Sequence, residues 1–198
     1  MKQRLSLISP AKRVVVTVAA TALLAVTVSP ALANGFDGAK TLSKVATIYI
    51  KGSSAKSLRF VGPKTVKEGE ELRIVNQSNA HQVGPQTFSL VEAPELPKTA
   101  KERSLCLSQG HICKAIKSWQ GIRRNGSAKV NPVKAGEEGW STMGTSKTKC
   151  DSWFTGDKPH ASFQQRVNAE ASAGPFVLTF MSAFDPALQG QITVKPAE

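Results

Sequence analysis

Three cysteines and three histidines are the side chains best suited to chemistry in this chain: Cys106, Cys113 and Cys150, and His81, His111 and His160. None falls into a local ligand spacing of the usual kind. Cys106 and Cys113 are the closest cysteine pair. On one straight helix their Cα atoms would stand about 10.5 Å apart, beyond the roughly 7 Å that a disulfide spans. A bond between them therefore requires the chain to turn, and Ser108-Gln109-Gly110 is a suitable turn. We expect a Cys106–Cys113 disulfide with Cys150 as a free thiol; Cys113–Cys150 stays open as the other pairing. Ser182, Asp185 and His81 have the residue types of a hydrolase triad, but nothing orders them into one. Ser182 sits in Met181-Ser182-Ala183-Phe184 rather than in a Gly-x-Ser-x-Gly elbow. No phosphate-cradling glycine loop is present either. We read the chain as non-catalytic.

The elements that must position these residues are mainly strands. Lys44–Ile50, Thr65–Lys67, Glu71–Asn76 and Gln86–Val91 read as strands, with Glu68-Gly69-Glu70 as a turn. Gln165–Ala169, Phe176–Met181 and Gly190–Lys195 follow near the end, and Phe176, Leu178 and Phe180 share one face. The stretch from about Pro94 to His160 is different. It is rich in Lys, Gly and Ser, lacks a long alternating run, and holds all the cysteines together with Trp119, Trp140 and Trp153. Ile112, Ile116 and Trp119 have helical spacing, which predicts a short helix after Gly110; the rest reads as ordered loop. The tryptophans either pin this segment to the body or face a partner. Short strands at both ends with Gly- and Pro-rich turns predict an antiparallel sandwich or barrel.

The first residues have the three parts of an export signal. A basic start (Lys2, Arg4, Lys12, Arg13) precedes an apolar run from Val14 to Val28, and Ala31-Leu32-Ala33 forms a small-residue exit. The run is short for a membrane span. Cleavage after Ala33 leaves 165 of the 198 residues as one domain of ordinary size, and takes the net charge from +12 to +8. A basic exported surface favours an anionic wall polymer, a membrane surface or an acidic protein. The scattered lysines form no nucleic-acid stripe, so no nucleic acid is expected.

The strand residues arrive in a familiar order. Thr65-Val66-Lys67-Glu68-Gly69-Glu70-Glu71-Leu72-Arg73-Ile74-Val75-Asn76-Gln77-Ser78 precedes His81, and Phe180-Met181-Ser182-Ala183-Phe184-Asp185-Pro186-Ala187-Leu188-Gln189-Gly190-Gln191-Ile192-Thr193-Val194 closes the chain. This resembles the cupredoxins, the plastocyanin-like blue copper domains, over about residues 45–91 and 176–194. The segment between matches through its cysteine pair and Gly136-Glu137-Glu138-Gly139-Trp140. The resemblance implies a cupredoxin-like Greek-key β-sandwich, all-β, with a long, partly helical, disulfide-bearing insert at about 94–162. It also implies a copper site between an upstream His, matched by His81, and a final loop supplying Cys, His and Met. Those three steps land on Ser182, Asp185 and Leu188. A blue site needs a thiolate and two imidazoles; Ser182 offers a hydroxyl, Asp185 a hard oxygen and Leu188 nothing.

These residues support an exported cupredoxin-like binding or structural module with a degenerate copper site and no cofactor. A copper-binding electron carrier with an altered site around His81 and Asp185 is the alternative. Binding to a wall or membrane surface through the basic face is a further one. The basic insert with Trp119, Trp140 and Trp153 is the surface on which a partner is expected.

Overall fold

The structure, a computed structural model, describes residues 44–122, 139–156, 158–168, 171 and 174–197. The expected export signal and residues 136–138 of the insert motif lie outside them. Nine strands appear in chain order: β1 (Val45–Lys51), β2 (Arg59–Val61), β3 (Thr65–Lys67), β4 (Glu71–Asn76), β5 (Thr87–Leu90), β6 (Ser152–Phe154), β7 (Ser162–Arg166), β8 (Phe176–Met181) and β9 (Gln189–Lys195). Among the described residues three short α-helices interrupt them: α1 (Ala80–Val83), α2 (Ala100–Leu105) and α3 (Ile112–Trp119).

The strands form two mixed sheets, one in the order β2-β1-β4-β7 and the other β3-β9-β8-β5-β6. β1 runs parallel to β4, with Ile48 opposite Ile74, and antiparallel to β2. In the second sheet β9 lies between β3, which it meets in parallel, and β8, which it meets antiparallel. The alternation of side chains puts Ile48 and Ile50, Leu72 and Ile74, Leu178 and Phe180, and Ile192 and Val194 on inner faces, where all are buried. Together with Phe88, Leu90, Trp140 and Trp153 they make one core. Each large apolar side chain removed from water here stabilises the fold by roughly 1.5–3 kcal/mol. Gly190 shows how tightly it closes: a Cβ there would stand 2.4 Å from the Phe180 ring. The all-β sandwich with a partly helical, disulfide-bearing insert is thus the architecture the sequence implied, but the wholly antiparallel pairing expected from the short strands is corrected: β1 with β4 and β3 with β9 run parallel.

Between β5 and β6 the chain leaves the sheets and builds a second buried cluster. Val91, Met181 and Ala183 from the sandwich meet Cys106, Ile112, Cys113, Ile116 and Cys150. Val91 and Met181 have the opposite parity to Leu90 and Phe180, so the insert covers the outer face of the five-stranded sheet. α2 is started by a capping box. Thr99 accepts from the Glu102 N–H at 3.1 Å, while the Glu102 carboxylate accepts from the Thr99 and Lys98 N–H groups at 2.8 and 2.7 Å. The chain then reverses through Gly110, at φ 83°, into α3. This is the turn that the Cys106–Cys113 disulfide requires, and the bond is formed across Cα atoms 5.1 Å apart.

Two strands differ from expectation. β7 spans Ser162–Arg166, three residues before the expected Gln165–Ala169, because Ile74 pairs with Phe163 and sets the register from the β4 side. β6 lies in a stretch read as loop. Its three residues are all buried and show no alternation, so only pairing with β5 defines it.

Candidate functional site

The end of the sandwich where the sequence resemblance leads one to expect a metal site is built by three pieces of chain. β4 delivers Asn76, whose Oδ1 accepts from the Ser78 N–H at 3.0 Å and the Ser78 hydroxyl at 2.7 Å. This local turn sends the chain into the single turn of α1. Gly84, at φ 70°, lets it double back through Pro85 into β5. The third piece is the β8–β9 loop. It closes on itself through Leu188 N–H to Asp185 C=O and Ser182 N–H to Leu188 C=O, both 2.9 Å.

This path sets the expected upstream ligand apart from the loop. His81 lies on the exposed side of α1, whereas Gln86, the first residue after the reversal, is fully buried and reaches the loop. The Ser182 hydroxyl donates to Gln86 Oε1 at 2.8 Å. Its oxygen accepts the N–H groups of Thr87 and Phe184, each at 3.2 Å. Gln86 Nε2 donates back to the carbonyls of Val83 and Gly84 at 3.1 and 3.4 Å. Thr155 Oγ1 extends the network: it accepts from the Gln86 N–H at 3.0 Å and from Asn76 Nδ2 at 3.1 Å. The Thr87 hydroxyl accepts the Ala183 N–H at 2.9 Å. Every side chain in this set is neutral. Among the described residues the buried side-chain polar atom left without a partner is Gln165 Oε1, on β7 and outside the set.

The other expected residues are placed as follows. Asp185 is half-buried, and its Oδ1 accepts the Ala187 N–H at 3.0 Å, fastening its own loop. Leu188 is buried in the core. His111 and His160 are exposed. Among the described residues no group of three or more His, Cys, Asp and Glu side chains stands together to hold a metal ion. Cys150 is buried and free. Burial, with the adjacent Asp151 charge added, pushes its thiol well above the usual range, so at neutral pH it is a protonated, unreactive group.

Of the two expectations for the tryptophans, pinning to the body holds for Trp140 and Trp153, and the partner-facing one is corrected for them. Trp140 is fully buried and donates from Nε1 to the Leu72 carbonyl at 3.2 Å. Trp153 is buried and stacks on Phe163 at 6.0 Å. Only Trp119, half-buried against the insert cluster, keeps a face toward the surface. The polar residues flanking Trp140 and Trp153 concealed their role. The two side chains are large enough to fill the inter-sheet space, and indole burial is satisfied once its N–H finds a carbonyl.

The insert also reaches the loop. Lys117 Nζ of α3 lies 4.0 Å over the ring of Phe184, which in turn packs on Phe154 at 5.6 Å. Burial, and then the nearby Lys114 charge, hold the Lys117 ammonium below its usual pKa. The donors converging at this end are a carboxamide and hydroxyls. They can hold one another or a neutral polar group. They do not supply the thiolate and paired imidazoles of a blue copper centre.

No protein-family model and no curated protein matches this chain. Among solved structures it is similar to auracyanin A, a blue copper protein from the green thermophilic photosynthetic bacterium Chloroflexus aurantiacus, at 12% identity over 77% of this chain and 100% of that one, with a TM-score of 0.37. It is similar to the dithionite-reduced auracyanin of Roseiflexus castenholzii at 12% identity, 77% and 97% coverage and a TM-score of 0.34. Auracyanin B matches at 10% identity, 77% and 88% coverage and a TM-score of 0.34.

Proposed function

We propose that this chain is an exported, non-catalytic binding module on a cupredoxin-like sandwich whose metal end has become a neutral hydrogen-bonded plug. The observation that carries the reading is the Ser182–Gln86 hydrogen bond, 2.8 Å long between two fully buried side chains. A hydroxyl stands at the loop position where the resemblance expects a thiolate, and a carboxamide stands where an imidazole is needed. Both are already engaged: the Ser182 hydroxyl donates one bond and accepts two, and the Gln86 carboxamide accepts one and donates to two carbonyls. The N-terminal signal and the Cys106–Cys113 disulfide support an oxidising, extracytoplasmic setting. Among the described residues no helix is long and apolar enough to cross a membrane.

The test is a Cu(II) and Cu(I) titration followed by absorbance and by metal content after gel filtration. The expected result is no thiolate charge-transfer band and no retained copper. Stoichiometric copper with a blue band would overturn the reading. Copper retained without that band, and lost on His81→Ala, would instead support the altered electron carrier.

A further inference from the structure

We propose that the disulfide-closed turn between α2 and α3 is a docking tip for an anionic lipid surface, with Leu105 and Leu107 as its apolar anchors. This names a partner for the binding module proposed above and rests on that reading and on export.

The exposed large hydrophobics among the described residues are Val45, Val61, Leu105, Leu107 and Val177. The three valines lie on three different strands. The two leucines stand two positions apart on one turn, 41% and 46% exposed. Cys106 between them is buried and tied to Cys113, so the turn is held by a covalent bond at its base while its leucines point away from the cluster. Residues 107–111 are all exposed, so the tip protrudes. Two side chains on a protruding tip are too small a patch for a stable protein interface, which buries about 1,000 Å² or more. They suit insertion into the headgroup and acyl boundary, which takes Leu on one side and Lys or Arg around it.

The charge around the tip has the matching sign. Between residues 94 and 120 there are five cations, Lys98, Lys101, Arg103, Lys114 and Lys117, against two carboxylates, Glu95 and Glu102. Glu102 is committed to capping α2, and Lys117 to the Phe184 ring. Lys101 and Lys114 are exposed on the two helices that flank the tip. Lysines so placed draw anionic headgroups, and the apolar anchors then hold the contact at short range.

The experiment is co-sedimentation of the chain with vesicles of mixed phosphatidylglycerol and phosphatidylcholine, beside pure phosphatidylcholine vesicles. Binding is expected to the mixed vesicles and to fall steeply with salt. Leu105→Ser with Leu107→Ser should weaken it on the order of 100-fold. Lys101→Gln with Lys114→Gln should weaken it about 30-fold. Both changes lie on exposed positions, and circular dichroism with a thiol count verifies that the insert remains folded and oxidised. Equal binding of the leucine variant overturns the proposal, as does equal binding to the neutral vesicles. Capture by polyglutamate without vesicle binding overturns it in favour of an acidic protein. The copper spectrum is a separate readout, so failure of the docking tip and failure of the metal-free reading are told apart.

Discussion

Phe88 and Gln86 lie two residues apart at the start of β5 and are equally buried, yet they belong to regions built on opposite terms. Phe88 enters a core where rings meet rings: Trp140 at 5.0 Å, Phe180 at 4.5 Å and Phe60 at 5.8 Å. Gln86 enters a set in which each donor has a named acceptor. The apolar region depends on volume and is tolerant of what fills it, provided the space is filled. The polar region is a matched set, and removal of one member strands another away from water. A sandwich can therefore change its chemistry at one end without disturbing its body, provided the change is made in complementary pairs.

The largest expected effect lies in the apolar region. Trp140→Ala removes a fully buried indole and the hydrogen bond that it donates to the Leu72 carbonyl. It should lower the unfolding free energy by about 3–5 kcal/mol in a denaturant titration. A loss under about 1 kcal/mol would mean that the inter-sheet space collapses freely, and the contrast would fail on its apolar side.

The polar region is tested by a double-mutant cycle. Gln86→Leu alone leaves the Ser182 hydroxyl without its acceptor, and Ser182→Ala alone leaves Gln86 Oε1 without its donor. Each should destabilise by about 1–3 kcal/mol. The double variant should lose less than the sum, with a coupling of roughly 0.5–3 kcal/mol. Strict additivity would show that the two side chains do not act as a unit. The gain-of-function version sharpens the same point. Gln86→His with Ser182→Cys sets an imidazole and a thiol at two positions already in contact. It should give tighter Cu(II) binding than the parent chain, read as a new thiolate band. No new band would mean that the plug's geometry, and not only its donors, has departed from a metal site.

The smallest effect concerns pH. Asn76, Gln86, Thr87, Thr155 and Ser182 carry no proton that titrates near neutrality, so the polar end should contribute no pH dependence there. The cluster beneath the insert holds one ionisable group, Cys150, whose folded pKa lies above its ordinary 9.0. With the folded pKa raised, its contribution is fully present below pH 9 and is lost as pH rises, because the unfolded thiol ionises first. Stability should fall by about 1.4 kcal/mol for each pH unit above that point. Cys150→Ala should flatten the alkaline slope in thermal scans at pH 8 to 10.5. An unchanged slope would assign it to other groups.

Legibility in the sequence followed these same terms. β1, β4, β8 and β9 were readable because one face of each is apolar at period two. α3 was readable from Ile112 and Ile116, which do face the insert cluster. α2 was missed although Thr99 and Glu102 carry the capping-box spacing; it has no buried residue, so no periodicity announced it. Gln86 was passed over for His81 because residue type drew attention to the stronger ligand. The signal that could have found it is position: a polar residue directly before Thr87-Phe88-Ser89-Leu90, which the Gly84-Pro85 reversal aims inward. For Trp140 and Trp153 polar neighbours left pinning and partner contact both open, and only the register of distant strands decides for the interior.

β9 is the last strand in the sequence and yet an inner strand of its sheet. Thr65 pairs with Thr193, 128 positions later, and β3 has no other neighbour in the sheet order. Pairings at such separation close late, after the entropy of a long loop has been overcome. While the chain is being synthesised, β3 has nothing to pair with and one edge of β8 is bare. The early strands therefore cannot lock into a finished sheet ahead of residues 189–195. That ordering makes residues 189–195 the closing piece of the sandwich: the five-stranded sheet is joined from β3 to β8 only when they are in place.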